Sequence, residues 1–160
     1  MKTLIIVHSE TGNTKLFAEE IKKAIEKKGL ECGITQIETD APMRNYNPSK
    51  QVLNIINLPE VEGYDYVLLG GPVMAFSANA AVMKCIRDLK SLKGRKFIPF
   101  VTQHLPFPFL GGTNAIRMMS NEAKKSGAEV LEGGIINIAW HDYKTEMKIK
   151  AEKIASLLKS

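Results

Sequence analysis

Residues 8–14 read His8-Ser9-Glu10-Thr11-Gly12-Asn13-Thr14, and the two segments that flank them give the loop its meaning. Before it runs Leu4-Ile5-Ile6-Val7, an unbroken apolar stretch of the kind found in a strand covered on both faces. After it, from Thr14 to Lys28, Leu16, Phe17, Ile21, Ala24 and Ile25 recur at helical spacing until Gly29 stops the pattern. The loop therefore carries the chain from a buried strand straight into an amphipathic helix. A helix start presents unpaired N–H groups and a partial positive charge, so it draws anions. Ser9, Thr11 and Thr14 add hydroxyls, Asn13 adds an amide, and Gly12 lets the backbone come close to a ligand. A simple helix cap needs one hydroxyl. Four donor side chains in six residues point instead to a bound phosphate.

Other phosphate loops do not fit. GxxxxGK[ST] is absent, and no GxGxxG run follows the first strand. A phospho-acceptor receiver domain would place acidic residues at the ends of strands 1 and 3, yet the third strand region ends in Gly70-Gly71.

Working outward, apolar clusters of strand length alternate with helical stretches. Cys32–Ile37 reads as a weaker strand, mixed in polarity and suited to an edge. Between Pro48 and Pro59, Val52, Leu53, Ile55 and Ile56 predict a short helix. Asp65–Leu69 reads as a buried strand ending at Gly70-Gly71-Pro72, and a helix follows from Asn79 to Leu89. Phe97–Val101 is the next strand, with Pro99 awkward for a central ladder. A loop from Thr102 to Gly112 leads to a helix over 113–126. Val130–Ile138 contains the last strand, and Met147, Ala151, Ile154 and Leu158 mark the final helix over 143–158.

Five such repeats predict one α/β domain over residues 1–160, a three-layer sandwich around a five-stranded parallel sheet of order 2-1-3-4-5. Ligands of such sheets sit beyond the carboxyl ends of the strands. That places the loops after Val7, Leu69 and Val101 together.

The composition narrows the function. The 160 residues carry 22 basic and 17 acidic side chains, a formal charge of +5, with the lysines scattered over predicted helix surfaces. No nucleic-acid module accompanies that charge, whereas an acidic protein partner suits it. No apolar run reaches the length of a membrane span, and Leu4–Val7 is too short for a signal core, so a cytoplasmic protein without membrane insertion is expected. Cys32 and Cys85 have no CxxC or histidine spacing around them and read as reduced thiols; no metal site is expected.

Ser-x-Thr-Gly-Asn-Thr at the end of an N-terminal strand resembles the FMN phosphate loop of the flavodoxin family, and the element order is similar over nearly the whole chain. The lack of a long insertion before the final helix resembles the short-chain members. The resemblance implies that Ser9, Thr11, Asn13 and Thr14, with the backbone of Glu10 and Gly12, hold the phosphate of FMN. It implies that the loops Pro72-Val73-Met74-Ala75-Phe76 and Thr102-Gln103-His104, with Phe107, Gly111 and Gly112, flank the flavin ring, Met74, Phe76 and Phe107 by contact. Ala75 stands where some members carry glycine. The basic charge, and the absence of a carboxylate from the second ring loop, imply a less negative potential for the fully reduced flavin than in acidic members. The resemblance further implies electron transfer with a redox protein partner. The alternative is an NAD(P)H-dependent quinone or flavin reductase in which His104 gives a proton, and a third reading is a flavin-free phosphate module.

Overall fold

The computed structural model describes residues 1–160, the side chain of Asn45 excepted. Strand β1 (Lys2–Val7) leads into helix α1 (Asn13–Lys27), and β2 (Glu31–Gln36) returns beside it. After a long connection come β3 (Tyr66–Met74), the two-residue β4 (Ser77–Ala78) and α2 (Ala80–Asp88). β5 (Lys96–Gln103), α3 (Gly112–Lys125), β6 (Glu129–Val130), β7 (Gly134–Asn137) and α4 (Tyr143–Ser156) complete the chain.

The sheet runs β2-β1-β3-β5-β6, with β7 continuing beside β5 and all of these pairs parallel. This is the expected order; the numbers differ only because β4 is a short antiparallel appendage of β3 and the last strand is in two pieces. Successive residues of β1 and β3 face opposite layers. Ile5, Val7, Tyr66 and Leu68 pack with Phe17 and Ile21 of α1 and Met147 and Ile154 of α4. Leu4, Ile6, Val67 and Leu69 pack with Val82 and Ile86 of α2 and Ala115 and Met119 of α3. Because both faces are covered, the inner strands read as continuous apolar runs.

Two expectations are corrected. No helix forms between Pro48 and Pro59. Ile55 instead bridges Thr39 antiparallel, Leu53 is buried against Met43 and Ala81, and Val52 and Ile56 stand 80% and 65% exposed. β3 does not stop at Gly70-Gly71-Pro72 but runs on to Met74. The glycines are there for close approach: Gly70 lies flat against the buried Phe100 ring, and a Cβ on Gly71 would sit 2.5 Å from Val82 Cγ2. The final strand breaks at residues 131–133, and Pro99 explains why that break is tolerated. Phe97 O accepts from Leu131 N (2.9 Å), so the odd-numbered residues of β5 turn their backbone groups outward there. The N–H that Pro99 lacks would face the gap between β6 and β7, where no ladder partner stands.

Among the described residues no helix is long and apolar enough to cross a membrane. None of their His, Cys, Asp and Glu side chains group in a way that could hold a metal ion.

Candidate functional site

The loop after β1 is fixed from both sides. His8 N extends the ladder to Gly70 O (2.9 Å), and Gln36 Nε2 of β2 donates to Ser9 O (2.9 Å). Ser9 Oγ accepts from Gly12 N at 3.1 Å, which draws the loop into a tight turn. Gly12 adopts φ +92° with open space where a Cβ would stand, a conformation that side-chain-bearing residues rarely take. The first helical bond of α1 runs from Leu16 N to Gly12 O (2.9 Å), and no side chain caps the helix. The N–H groups of Asn13, Thr14 and Lys15 are therefore left for a ligand. The first turn holds no acidic residue, and the one carboxylate in the loop, Glu10, is tied away by Met43 N at 2.9 Å. A doubly charged phosphate fits this donor set: open amides and neutral side chains, with the loop's one carboxylate engaged by Met43 N.

The four donor side chains divide. Thr11 is exposed, and Asn13 Nδ2 reaches its hydroxyl at 3.5 Å. Thr14, 1% exposed, turns inward to Thr102 Oγ1 at 2.7 Å and locks the first turn of α1 onto β5. To an anion, Thr14 offers its backbone N–H alone.

The loop after β3 is a two-residue hairpin. Ala75 and Phe76 have φ +48° and +62°, the left-handed values that a mirror-type hairpin turn demands. Neither residue is a glycine or asparagine, so each stores about 1 kcal/mol or more of strain. The surroundings hold it. Asn114 Nδ2 donates to Phe76 O at 3.1 Å, and Gly111 presses so close that a Cβ would meet Phe76 Cα at 2.9 Å.

The loop after β5 is organised by Gln103. Its buried amide donates from Nε2 to Leu105 O and Phe107 O, both at 2.7 Å, and accepts from Gly112 N at 2.7 Å. All three bonds stay within the protein. His104 is exposed, and Phe107 stacks on Phe109 with ring centroids 5.4 Å apart.

The structure brings the three loops to one end of the sheet, and it sorts the proposed ring contacts. Phe76 and Phe107 are exposed at the rim. Pro72 and Val73 are half-buried, Gly111 and Gly112 are buried, and Met74 leans into the cluster of Met43 and Leu53. Sequence reasoning overlooked Trp140, half-exposed, whose Nε1 donates to Pro106 O at 3.0 Å. The signal was available: a lone tryptophan three residues past the last strand, at the same carboxyl edge. Gln36, Met43 and Asn114 were also missed, and only spatial proximity reveals them.

His8, 4% exposed, starts the phosphate loop. Burial holds its imidazole below the usual histidine range, and the Glu10 charge opposes that only in part.

No family model and no curated protein matches the chain. Solved structures do. Flavodoxin 2 from Bacillus cereus superimposes with a TM-score of 0.71 at 19% identity, over 99% of this chain and 100% of that one. The two-electron reduced flavodoxin of Megasphaera elsdenii gives 0.67 at 24%, over 96% and 98% of the two chains. A flavodoxin, WrbA-like protein from Agrobacterium tumefaciens gives 0.68 at 14%, over 98% and 96%. With the strand order and the end-on placement of its three loops, the chain has the flavodoxin fold.

Proposed function

We propose that this protein binds FMN across the carboxyl edge of its sheet and works in electron transfer with a redox protein partner. The observation that carries the reading is the uncapped first turn of α1, free of carboxylate, opening beside an aromatic rim. FMN, when bound, supplies the redox chemistry. The chain's own residues bind and orient it. The N–H groups of Asn13, Thr14 and Lys15 with Ser9, Thr11 and Asn13 hold the phosphate end, and the loops 72–76 and 102–112 hold the ring. Covering about 150–250 Å² of aromatic surface at roughly 25 cal/mol per Å² contributes some 4–6 kcal/mol. Ring cover thus sets most of the apolar affinity, and the helix start sets register. Among the segments 72–76 and 102–112 there is no Asp or Glu, so nothing in those loops opposes electron density on the ring. The formal charge of +5 suits an acidic partner, and a cytoplasmic setting suits the two reduced thiols.

Titration of the purified protein with FMN, followed by quenching of flavin fluorescence, tests this. Tight binding is expected, and Thr11→Ala with Asn13→Ala together should weaken it about tenfold or more, each lost bond to a charged group being worth roughly 1.5 kcal/mol. Unchanged affinity in the double variant overturns the assignment. The second reading, an NAD(P)H-dependent reductase, is favoured by one feature, the exposed His104 in the ring loop. Rapid anaerobic bleaching of the flavin by NADPH would select it. Reduction only through a partner reductase selects the carrier.

A further inference from the structure

Two prolines set the problem in the loop after β5. Pro106 and Pro108 carry no N–H, so the stretch from His104 to Leu110 is poor in donors of its own. Its internal backbone bond runs from Leu110 N to Phe107 O at 3.0 Å. Side chains from outside the stretch supply the rest. Gln103 Nε2 donates to Leu105 O and Phe107 O, and Trp140 Nε1 donates to the carbonyl between them, Pro106 O, at 3.0 Å. Three successive carbonyls are thus held by side-chain donors from two different elements. Gln103 ends β5, and Trp140 belongs to the turn after β7. That turn is itself fastened to β5, with Ile138 N donating to Gln103 O at 2.9 Å.

What this grip fixes is aromatic. Phe17, Phe97 and Phe100 are wholly buried, whereas Phe76, Phe107 and Phe109 are exposed, and all three of these sit on the loops 72–76 and 102–112. Phe107 stacks on Phe109 and carries one of the held carbonyls. The indole of Trp140 spends its N–H inside the protein and stays half-exposed. Its bond to Pro106 lies open to water, so its weight in global stability is small. Its effect is on where the loop stands.

We propose that Trp140 is a positioning residue for the flavin ring: its N–H holds Pro106 O and thereby sets the loop that presents Phe107 to the ring. The inference rests on the FMN-binding reading above. Because the bond falls on the ring loop, its loss acts on the ring end of the ligand. FMN and riboflavin share that end and differ only in the phosphate, so both lose affinity alike. By reciprocity, a flavin seated against the loop must favour the closed Trp140–Pro106 bond by the same factor.

The test compares wild type with Trp140→Phe, which keeps an aromatic body and removes the N–H donor. Fluorescence titration should show FMN and riboflavin each bound about threefold more weakly by the variant, at the low end of what one hydrogen bond is worth. The chain holds one tryptophan, so its indole N–H gives a single NMR signal. In wild type, either flavin should shift that signal and slow its exchange with water roughly threefold. This second measurement decides the matter even where the variant does not fold. Unchanged affinity for both flavins in the variant, a loss confined to FMN, riboflavin that wild type does not take up, or an indole signal that neither flavin moves overturns this positioning role alone. Failure of wild type to bind FMN overturns the function proposed above and this role with it.

Discussion

The loop after β1 takes its shape from the regular elements on either side, whereas the loop after β5 takes its shape from one side chain. In the first, one ladder bond, one bond from the Gln36 amide of β2 and a helix start leave little to choose, and the space around Gly12 is open. In the second, Gln103 and Gly112 stand nine positions apart, and the amide of Gln103 spans the gap with three bonds. The hairpin at Ala75-Phe76 leans on that same loop through Gly111 and on the first turn of α3 through Asn114. One end of the candidate site is therefore rigid by secondary structure, and the other only by tertiary contact.

Substitutions measure this difference. Gly111→Ala should cost most, about 3 kcal/mol or more, because φ +132° is strained for alanine and its Cβ would meet Val73 Cγ1 at 2.7 Å as well as Phe76. Urea unfolding reads it, and a loss under about 1 kcal/mol would mean that the loop yields easily. Gln103→Leu comes next. Three internal bonds disappear and their partners stay wholly or partly buried, at a cost of about 2–3 kcal/mol, or roughly 4–12 °C in Tm. In the first loop, Gly12→Ala meets only backbone strain and should cost about 1 kcal/mol. If Gly12→Ala proved as damaging as Gly111→Ala, the contrast between the loops would fail.

Two smaller effects sharpen the picture. Burial depresses His8 below its ordinary 6.5, so the unfolded chain takes up that proton first. Stability of the ligand-free protein should therefore fall as pH drops through about 6.5, and His8→Gln should flatten that part of the curve. Cys32 and Cys85 are both buried with thiols pushed up to about 12. A chromogenic disulfide reagent at mildly alkaline pH should find neither in the native protein and both in urea.

The same division governs what could be read from sequence. Leu4–Val7, the helical spacing of Phe17, Ile21 and Ile25, and the loop between them specify their structure locally, and they were legible. The segment around Val52–Ile56 was not. Apolar residues at those positions imitate a helical stripe, but only Leu53 and Ile55 point inward, and a bridge to Thr39 decides their conformation. Gly70-Gly71-Pro72 suggested a strand end because glycine and proline usually make turns. Phe100 and Val82, distant in sequence, are what require the glycines to continue the strand. Thr14 and Gln103 were recognised as polar residues in the right loops, yet their partners, Thr102 and the carbonyls of Leu105 and Phe107, appear only in three dimensions. Residue type announces capacity to bond; the fold chooses the recipient.

The interrupted outer strand has a bearing on solution behaviour. A free sheet margin is a template on which a foreign strand can assemble, and long straight margins are the hazardous ones. Here that side offers two residues, a break, then four, and the proline beneath the break supplies no donor to bridge it. An incoming chain finds no continuous register to follow. The irregularity that looked like a defect in the sequence keeps neighbouring molecules from adding to the sheet on that flank.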